Sequence, residues 1–298
     1  MKPEVLHAKP KVTALVPCYN AAAFISATLE CLDTQTWPNL EILIGDDCSS
    51  DSTFELVSHF ATGRSNVRVI RRQENMGWLG NSNDLMARAS GEMMFFAFHD
   101  DLIAPTYVEK LVEALEANPR AVMAFTNIDV FEVDGTRRVW TFDALAGLRS
   151  ALSRGLVMCT LERGWWVPNR GLFRSWAFHR IGGIKPNEKG EYSADWTWLL
   201  HMSLLGEFVR VPEILCRKYY KKDSLSKTWP HDKAQREALM RAGIREIRDS
   251  RIGLIQKMVL TRFLRNQMSR RKVHLPRWIK RLLHYCPVKP RADSTGWG

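Results

Sequence analysis

The chain has 298 residues, of which 45% are hydrophobic and 25% are charged, with only 18 glycines and 13 prolines. This composition excludes the disordered, collagen-like and low-complexity classes and predicts a folded globular protein with a sizeable core. The net charge of +11 is concentrated in one region, because residues 233–291 hold 17 Lys and Arg against 3 Asp and Glu, so the rest of the chain is close to neutral.

The first half of the chain alternates short apolar segments with segments of helical periodicity. The pattern predicts strands over 12–16, 40–45, 67–71, 92–98 and 121–127, and helices over 21–32, 51–61, 81–89 and 106–117. Such alternation predicts an α/β fold with a mostly parallel, Rossmann-like sheet and flanking helices. Residues 136–232 are predicted to form a mixed, aromatic-rich extension, and 233–272 one or two helices.

Beyond Pro276, the apolar side chains of Trp278, Ile279, Leu282 and Leu283 fall on one side of a short predicted helix, and basic side chains fall on the other. Three interpretations of this basic tail stay open: contact with an anionic membrane surface, contact with a partner, and packing onto the protein's own catalytic domain. No nucleic-acid partner is expected, because no recognisable nucleic-acid-binding module accompanies the charge.

The sequence shows no segment typical of a membrane span or of export. No apolar run approaches the ~20 residues that cross a bilayer, and the first residues do not resemble a signal peptide. We therefore expect a cytoplasmic location, with peripheral attachment at the inner face of the membrane as an additional option. The six cysteines are scattered without a C-x-x-C pair, which favours reduced thiols over a zinc site or a disulfide framework.

Polar residues follow three of the predicted strands, at 17–20, 46–51 and 99–101. In parallel sheets, ligands bind outside the carboxyl ends of the strands. Asp100 and Asp101 are adjacent carboxylates, which repel each other unless a cation or hydrogen-bond donors compensate. A divalent cation that bridges a diphosphate is one explanation. For 46–51, a ligand-binding role and a polar turn that caps the next helix are both open.

These segments together carry a family resemblance. The array Pro17-Cys18-Tyr19-Asn20, Ile44-Gly45-Asp46-Asp47-Cys48-Ser49-Ser50-Asp51, Asn75-Met76-Gly77 and His99-Asp100-Asp101 resembles glycosyltransferase family 2, whose members have the GT-A fold. Residues 191–196 resemble the acceptor-side acidic motif of that family. The resemblance covers about 11–226 and implies a nucleotide-sugar-binding part at 1–134, an acceptor-binding part at 135–232 and a basic helical extension at 233–298.

The resemblance implies an inverting glycosyltransferase. The donor would be a nucleotide diphosphate sugar, with a UDP-sugar favoured, and the acceptor a hydroxyl of a glycan or lipid-linked molecule in cell-surface polysaccharide or glycolipid biosynthesis. Asp195 would be the general base, and Asp101, helped by Asp100, would bind Mn²⁺ or Mg²⁺. A helix N-cap is the alternative for Asp195. The implied nucleotide-sugar-binding residues are Pro17, Asn20, Asp46, Asp47, Asn75, Gly77 and Asp100.

Tryptophans supply the candidate acceptor contacts. Trp165, Trp166 and Trp196 are proposed because flat aromatic faces pack against sugar rings, although most of the eleven tryptophans are expected to pack in the core. The sequence departs from the family pattern at two places. Phe98 occupies a position that is acidic in many relatives, and Lys221-Lys222-Asp223 precede Ser224-Leu225-Ser226 where relatives often carry a histidine.

His99 is expected to hydrogen-bond the end of a strand rather than to bind a metal. The two departures keep an alternative function open, a catalytically weak GT-A-like module that binds a sugar nucleotide or a membrane surface. A dinucleotide-dependent dehydrogenase and a P-loop ATPase are excluded, because the sequence has neither G-x-G-x-x-G after the first strand nor G-x-x-x-x-G-K-[ST].

Overall fold

The computed structural model describes residues 9–161, 163–220 and 229–269. Its strands are β1 (Val12–Cys18), β2 (Leu40–Asp46), β3 (Val67–Arg71), β4 (Met93–Phe96), β5 (Asp101–Ile103), β6 (Ala121–Phe131), β7 (Arg137–Trp140), β8 (Leu172–Arg174) and β9 (Glu207–Tyr219). Its helices are α1 (Ile25–Asp33), α2 (Thr53–Ala61), α3 (Gly77–Arg88), α4 (Tyr107–Glu116), α5 (Ala151–Cys159), α6 (Ser175–Ile181), α7 (Ala194–Leu205), α8 (Lys233–Asp249) and α9 (Leu254–Ser269). Short 3₁₀ helices cover Asp143–Leu145 and Val167–Arg170.

In these ranges, all nine strands belong to one sheet of order β3-β2-β1-β4-β8-β6-β9-β5, with β7 paired to β6. The half formed by β3, β2, β1 and β4 is parallel, as the sequence pattern predicts. Every residue of β1 is buried, as expected for a parallel strand that helices cover on both faces. The carboxyl ends of β1, β2 and β4 therefore open at one edge of the sheet.

The other half of the sheet is mixed. β8 is antiparallel to both β4 and β6, β9 is parallel to β6, and β5 is antiparallel to β9. The strand predicted over 92–98 ends at Phe96, and the chain turns through 97–100 into β5. β5 is only three residues long and forms because β9 pairs with it. The local sequence therefore gives no signal that predicts this strand. Its register places Asp101 opposite Lys218.

The helices bury apolar stripes against the sheet, with α7 as the exception. α4, for example, buries Tyr107, Val108, Leu111, Val112 and Leu115, a stripe of helical spacing. α7 is buried on nearly every side, so it lies inside the molecule and not on its surface. α3 begins at Gly77, four residues before the predicted start of that helix.

The described part of the basic C-terminal segment packs on the sheet domain. α8 contacts α7, and α9 contacts α8 and α5. Leu239, Ile247, Leu260 and Leu264 on these two helices join the hydrophobic core. The predicted amphipathic helix after Pro276 lies outside the described residues, as do positions 221–226. Across the described ranges, the helices are all too short or too polar to span a membrane.

A buried polar cluster fastens α8 to α7. The Glu246 carboxylate lies 2.6 Å from Nδ1 of His201 and 3.1 Å from Nζ of Lys185, and Glu246 and His201 are both buried. Such a carboxylate stays buried only because both partners satisfy it. The helix that carries Asp195 is therefore fixed partly by residues of the C-terminal segment.

Candidate functional site

The loops after β1 and β2 interlock at the open edge of the sheet. Asn20 has a left-handed backbone (φ +47°), and its Oδ1 accepts a hydrogen bond from the backbone N–H of Ser50 at 2.9 Å. The Asn20 N–H donates to Oγ of Ser49 at 3.0 Å. The predicted residue Asn20 thus lies directly against the 46–51 segment, and the two loops form one wall. Pro17 precedes this contact and pairs with Gly45 in the β1–β2 register.

Asp46 is fully buried at the end of β2. Its Oδ2 accepts a hydrogen bond from the Ser49 N–H and lies 3.9 Å from Nε of Arg71, whereas its Oδ1 has no hydrogen-bond partner among the described residues. An unpaired buried carboxylate oxygen is costly and is a common property of sites that await a ligand donor. Asp51, in contrast, accepts the N–H of Thr53, the first residue of α2, and the N–H of Ala22. The N-cap residue is Ser52, which makes no side-chain cap hydrogen bond, so Asp51 has the role of the polar turn before the helix.

Asp47 points toward the start of α3. Its Oδ1 accepts the Met76 N–H at 2.8 Å, and Oδ1 of Asn75 accepts the Gly77 N–H at 2.9 Å. Glu191, from the second half of the chain, accepts the Leu79 N–H at 3.1 Å. Burial raises the pKa of Asp47, and burial together with the charge of Asp47 raises the pKa of Glu191. The N-terminus of α3 therefore joins the two halves of the site.

Gly77 is required at this junction for two reasons. Its φ of +72° is a left-handed conformation, and a Cβ there would lie 2.6 Å from Oε1 of Glu191. Gly63 is a matched control, because it has a similar φ of +77°, yet no described residue beyond its chain neighbours comes within 4 Å of a Cβ placed there. We expect Gly63→Ala to cost about 1–2 kcal/mol from the backbone alone, and Gly77→Ala to cost more.

Urea unfolding of both variants measures this difference, and nucleotide titration adds a second readout. Gly77→Ala displaces the Glu191 carboxylate and is expected to weaken nucleotide binding severalfold, whereas Gly63→Ala leaves it at the wild-type value. Equal stability and equal affinity of the two variants would contradict a role for the Gly77–Glu191 contact.

The central feature of the site is an ion cluster on Asp101. Oδ2 of this buried carboxylate accepts a hydrogen bond from Nε of Arg170 at 2.6 Å, and Oδ1 lies 3.6 Å from Nζ of Lys218. The guanidinium of Arg170 lies over the rings of Phe98 (5.0 Å) and Trp166 (5.4 Å). Burial alone would lower the pKa of Arg170, but the charge and hydrogen bond of Asp101, together with the nearby Cys216 and Asp100, raise it overall.

Asp195 lies in the first turn of α7, one residue inside the helix. Ser193 is the N-cap residue, with φ +46°, so Asp195 is not the cap itself. Its Oδ1 accepts the Trp196 N–H at 3.0 Å, and Nδ2 of Asn169 donates to Oδ2 at 3.3 Å. Burial raises the pKa of Asp195 from 3.8 to about 6, although the positive charge of Arg170 acts against the shift. A carboxylate of this pKa suits general base catalysis near neutral pH.

The segment His99-Asp100-Asp101 contains the predicted metal ligands, and its residues make different contacts. The His99 ring Nδ1 lies 3.4 Å from the carbonyl oxygen of Pro17, which confirms the predicted contact with a strand end. Within the described residues, no three His, Cys, Asp or Glu side chains come together as a metal site. Mg²⁺ and Mn²⁺ often use one or two carboxylates plus substrate phosphate oxygens. Oδ1 of Asp101 is buried without a hydrogen-bond partner among the described residues and so leaves an oxygen for such an ion, although Arg170 and Lys218 already face this carboxylate. Asp100, its neighbour in the sequence, is the second predicted ligand.

The tryptophans divide between core and site. Trp196 is fully buried, and its Nε1 donates to the Met158 carbonyl at 2.9 Å, so the predicted acceptor contact is wrong for this residue. The reason is that α7 is an internal helix, buried on nearly every side. Trp165 and Trp166 are both partly exposed, and Trp166 packs on Trp140 at 5.6 Å. They remain candidate acceptor contacts.

Sequence reasoning gave no role to Arg170, Lys218, Asn169 or Glu191. Each lies far along the chain from the residue that it contacts, and the sequence does not indicate which of 43 Lys and Arg are buried. Glu191 lies inside the recognised acidic motif, and its position four residues before Asp195 was the available signal. For Lys218, only the cross-strand register reveals the pairing.

Comparisons with known proteins identify the family and the fold of the chain. The sequence model described as Glycosyl transferase family 2 matches residues 13–177. The succinoglycan biosynthesis protein ExoO of Rhizobium meliloti (strain 1021) is 32% identical over 186 residues, which cover 62% of this chain and 49% of ExoO. The chain likewise spans half or less of other similar curated relatives.

Two solved structures are similar in fold. S. aureus TarS 1–349, in complex with UDP-GlcNAc, superposes with a TM-score of 0.67 at 18% identity, over 86% of this chain and 72% of that chain. The mannosyltransferase PcManGT of Pyrobaculum calidifontis, in complex with GDP-Man and Mn²⁺, gives a TM-score of 0.56 at 17% identity, over 93% and 73%. The predicted GT-A α/β fold is thereby confirmed.

Proposed function

Since the chain belongs to glycosyl transferase family 2, we propose that it transfers a sugar from a nucleotide diphosphate sugar to a hydroxyl group of a glycan or lipid-linked acceptor, with inversion at the anomeric carbon. A UDP-sugar is the proposed donor, because the similarly folded TarS was solved with UDP-GlcNAc. Cell-surface polysaccharide biosynthesis is the proposed setting, in line with the name of ExoO. Peripheral contact with an anionic membrane is part of the proposal.

The observation that carries the proposal is the position of Asp195. Its carboxylate has a pKa of about 6, is held by the Trp196 N–H and the Asn169 amide, and lies within the electrostatic influence of Arg170. Arg170 in turn donates a hydrogen bond to Asp101. Asp101 lies beside Asp100 at the proposed diphosphate end of the donor. The guanidinium of Arg170 is therefore proposed to connect the general base, Asp195, with the leaving-group end of the site.

The donor is proposed to bind across the carboxyl ends of β1, β2 and β4. Oδ1 of Asp46, which has no hydrogen-bond partner in the described ranges, would accept a hydrogen bond from a donor group of the base or ribose. Asp101, helped by Asp100, would hold a divalent cation, which would neutralise charge on the diphosphate when it is bound. The positive charges of Arg170 and Lys218, shared with Asp101, add a fixed field at the same end of the site.

In the proposed reaction, the ionised carboxylate of Asp195 accepts the proton of the acceptor hydroxyl as its oxygen attacks the anomeric carbon. The bond from that carbon to the diphosphate breaks on the opposite face, and the nucleotide diphosphate leaves with the electron pair. A single displacement of this kind inverts the anomeric configuration and needs no covalent sugar–enzyme intermediate. The partly exposed Trp165 and Trp166 are proposed to contact the acceptor.

Calorimetric titration with UDP, GDP and TDP, each with Mn²⁺ and with EDTA, tests the donor side. We expect one nucleotide to bind selectively and EDTA to weaken its binding by about tenfold or more. Asp100→Asn should reproduce part of the effect of EDTA, because it removes one of the two proposed metal ligands. Selective binding that survives EDTA would transfer the leaving-group role to Arg170 and Lys218. The absence of binding to all three nucleotides would contradict the proposed function.

A further inference from the structure

The outward face of α9 carries three large apolar side chains that the described part of the chain leaves uncovered. Leu254, Ile255 and Met258 are 75%, 78% and 65% exposed, the three highest values among the exposed large hydrophobic residues. At 3.6 residues per turn they fall within an arc of about 100°. The opposite face of α9 is occupied, since Leu260 and Leu264 are buried against α8 and α5.

The same outward arc is basic. Arg262 and Arg265 continue it toward the C-terminus, and both are exposed. Lys257 is the third cation of α9, and the exposed Arg251 lies just before the helix. From Leu254 to Ser269 the sequence contains no Asp or Glu. The face therefore combines an apolar tip with an uninterrupted positive charge.

We propose that this face of α9 is a docking surface for an anionic lipid bilayer. Apolar side chains enter the boundary between headgroups and acyl chains, while Arg and Lys at the rim stay at the level of anionic headgroups. Charge complementarity favours a bilayer of anionic lipids, because the basic rim of α9 contains no acidic residue and matches a negatively charged surface. The proposal gives the membrane contact a location on this chain, and it does not depend on the identity of donor or acceptor.

Vesicle flotation of the full chain tests the proposal. Vesicles of phosphatidylglycerol and phosphatidylcholine are compared with vesicles of phosphatidylcholine alone, at about 0.1 M and about 0.5 M NaCl. Wild-type protein is expected to bind the anionic vesicles selectively and to keep part of its binding at the higher salt, where charge attraction is largely screened. The triple variant Leu254→Ser, Ile255→Ser, Met258→Ser is expected to bind at least about tenfold more weakly at high salt.

Two controls keep the result specific. Val139→Ser removes an apolar side chain of 50% exposure on β7 and is expected to leave vesicle binding unchanged. Nucleotide titration of the triple variant should give the wild-type affinity, so failure of the docking proposal is separable from failure of the proposed function. Unchanged vesicle binding of the triple variant would overturn the proposal. A lower melting temperature or an altered oligomeric state with unchanged vesicle binding would instead assign the face to the chain itself or to a second copy.

Discussion

Asp195→Asn is expected to lower the rate of sugar transfer by about 10²–10⁴-fold while nucleotide affinity stays at the wild-type value. The amide has the size of the carboxylate and keeps an oxygen for the Trp196 N–H, and Asn169 can turn its amide so that its oxygen accepts from the new NH₂ group. The start of α7 is then preserved. What the variant loses is the ability to accept a proton from the acceptor hydroxyl. Steady-state kinetics beside calorimetric titration separate the two effects.

The pH dependence supplies a second measurement on the same residue. Since the base works in its ionised form, kcat/KM of the wild type should fall as pH drops through the pKa of Asp195, about 6. The Asn variant should lack this acidic limb. Asp134→Asn, in the exposed turn between β6 and β7, is the control and should leave both rate and profile unchanged. A limb near pH 6 that persists in Asp195→Asn would assign the base to another group.

Stability should move in the opposite direction from activity. Folding raises the pKa of Asp195 from 3.8 to about 6, so the folded state binds this proton more tightly than the unfolded state. The resulting stabilisation is complete below pH 3.8 and is lost as the pH rises through about 6. At about pH 8 the ionised carboxylate is therefore a cost, and the Asn variant should melt at the same temperature as the wild type or higher. A lower melting temperature would identify a structural role.

The parallel half of the sheet could be predicted from sequence because its signals are local. A buried strand such as β1 is a continuous apolar run, and the loops after β1 and β2 carry their polar residues at the strand ends. The same locality explains why Asp46 and Asp47 could be named from the end of β2, whereas Gly77 was named through the family resemblance.

The other half could not be predicted because its geometry depends on long-range pairing. β5 exists only because β9 lies beside it, and that pairing sets Lys218 opposite Asp101. The prediction for Trp196 was wrong for a related reason, since residues that flank an acidic motif are expected at the surface unless the helix is known to be internal. Periodicity cannot distinguish a helix buried on all sides from a surface helix rich in apolar residues.

Arg170→Met is expected to destabilise the protein by about 3 kcal/mol, because among the described residues it leaves the buried carboxylate of Asp101 with Lys218 alone, at 3.6 Å. Arg137→Met is the matched control. Arg137 pairs with the buried Asp129 at 2.8 Å, but its own side chain is 60% exposed, and water can replace it. We expect the control to cost about 1 kcal/mol or less. Urea unfolding measures both values.

The double variant Arg170→Met, Asp101→Asn separates structure from catalysis. Removal of both charges should restore most of the lost stability, since no uncompensated carboxylate remains. Activity should not return, because Arg170 also lowers the pKa of Asp195 and lies at the proposed leaving-group end of the site. Without Arg170, the acidic limb of the pH profile should move above about 6. If the double variant regains wild-type activity with an unmoved limb, Arg170 serves only to neutralise Asp101, and the leaving group depends on other residues.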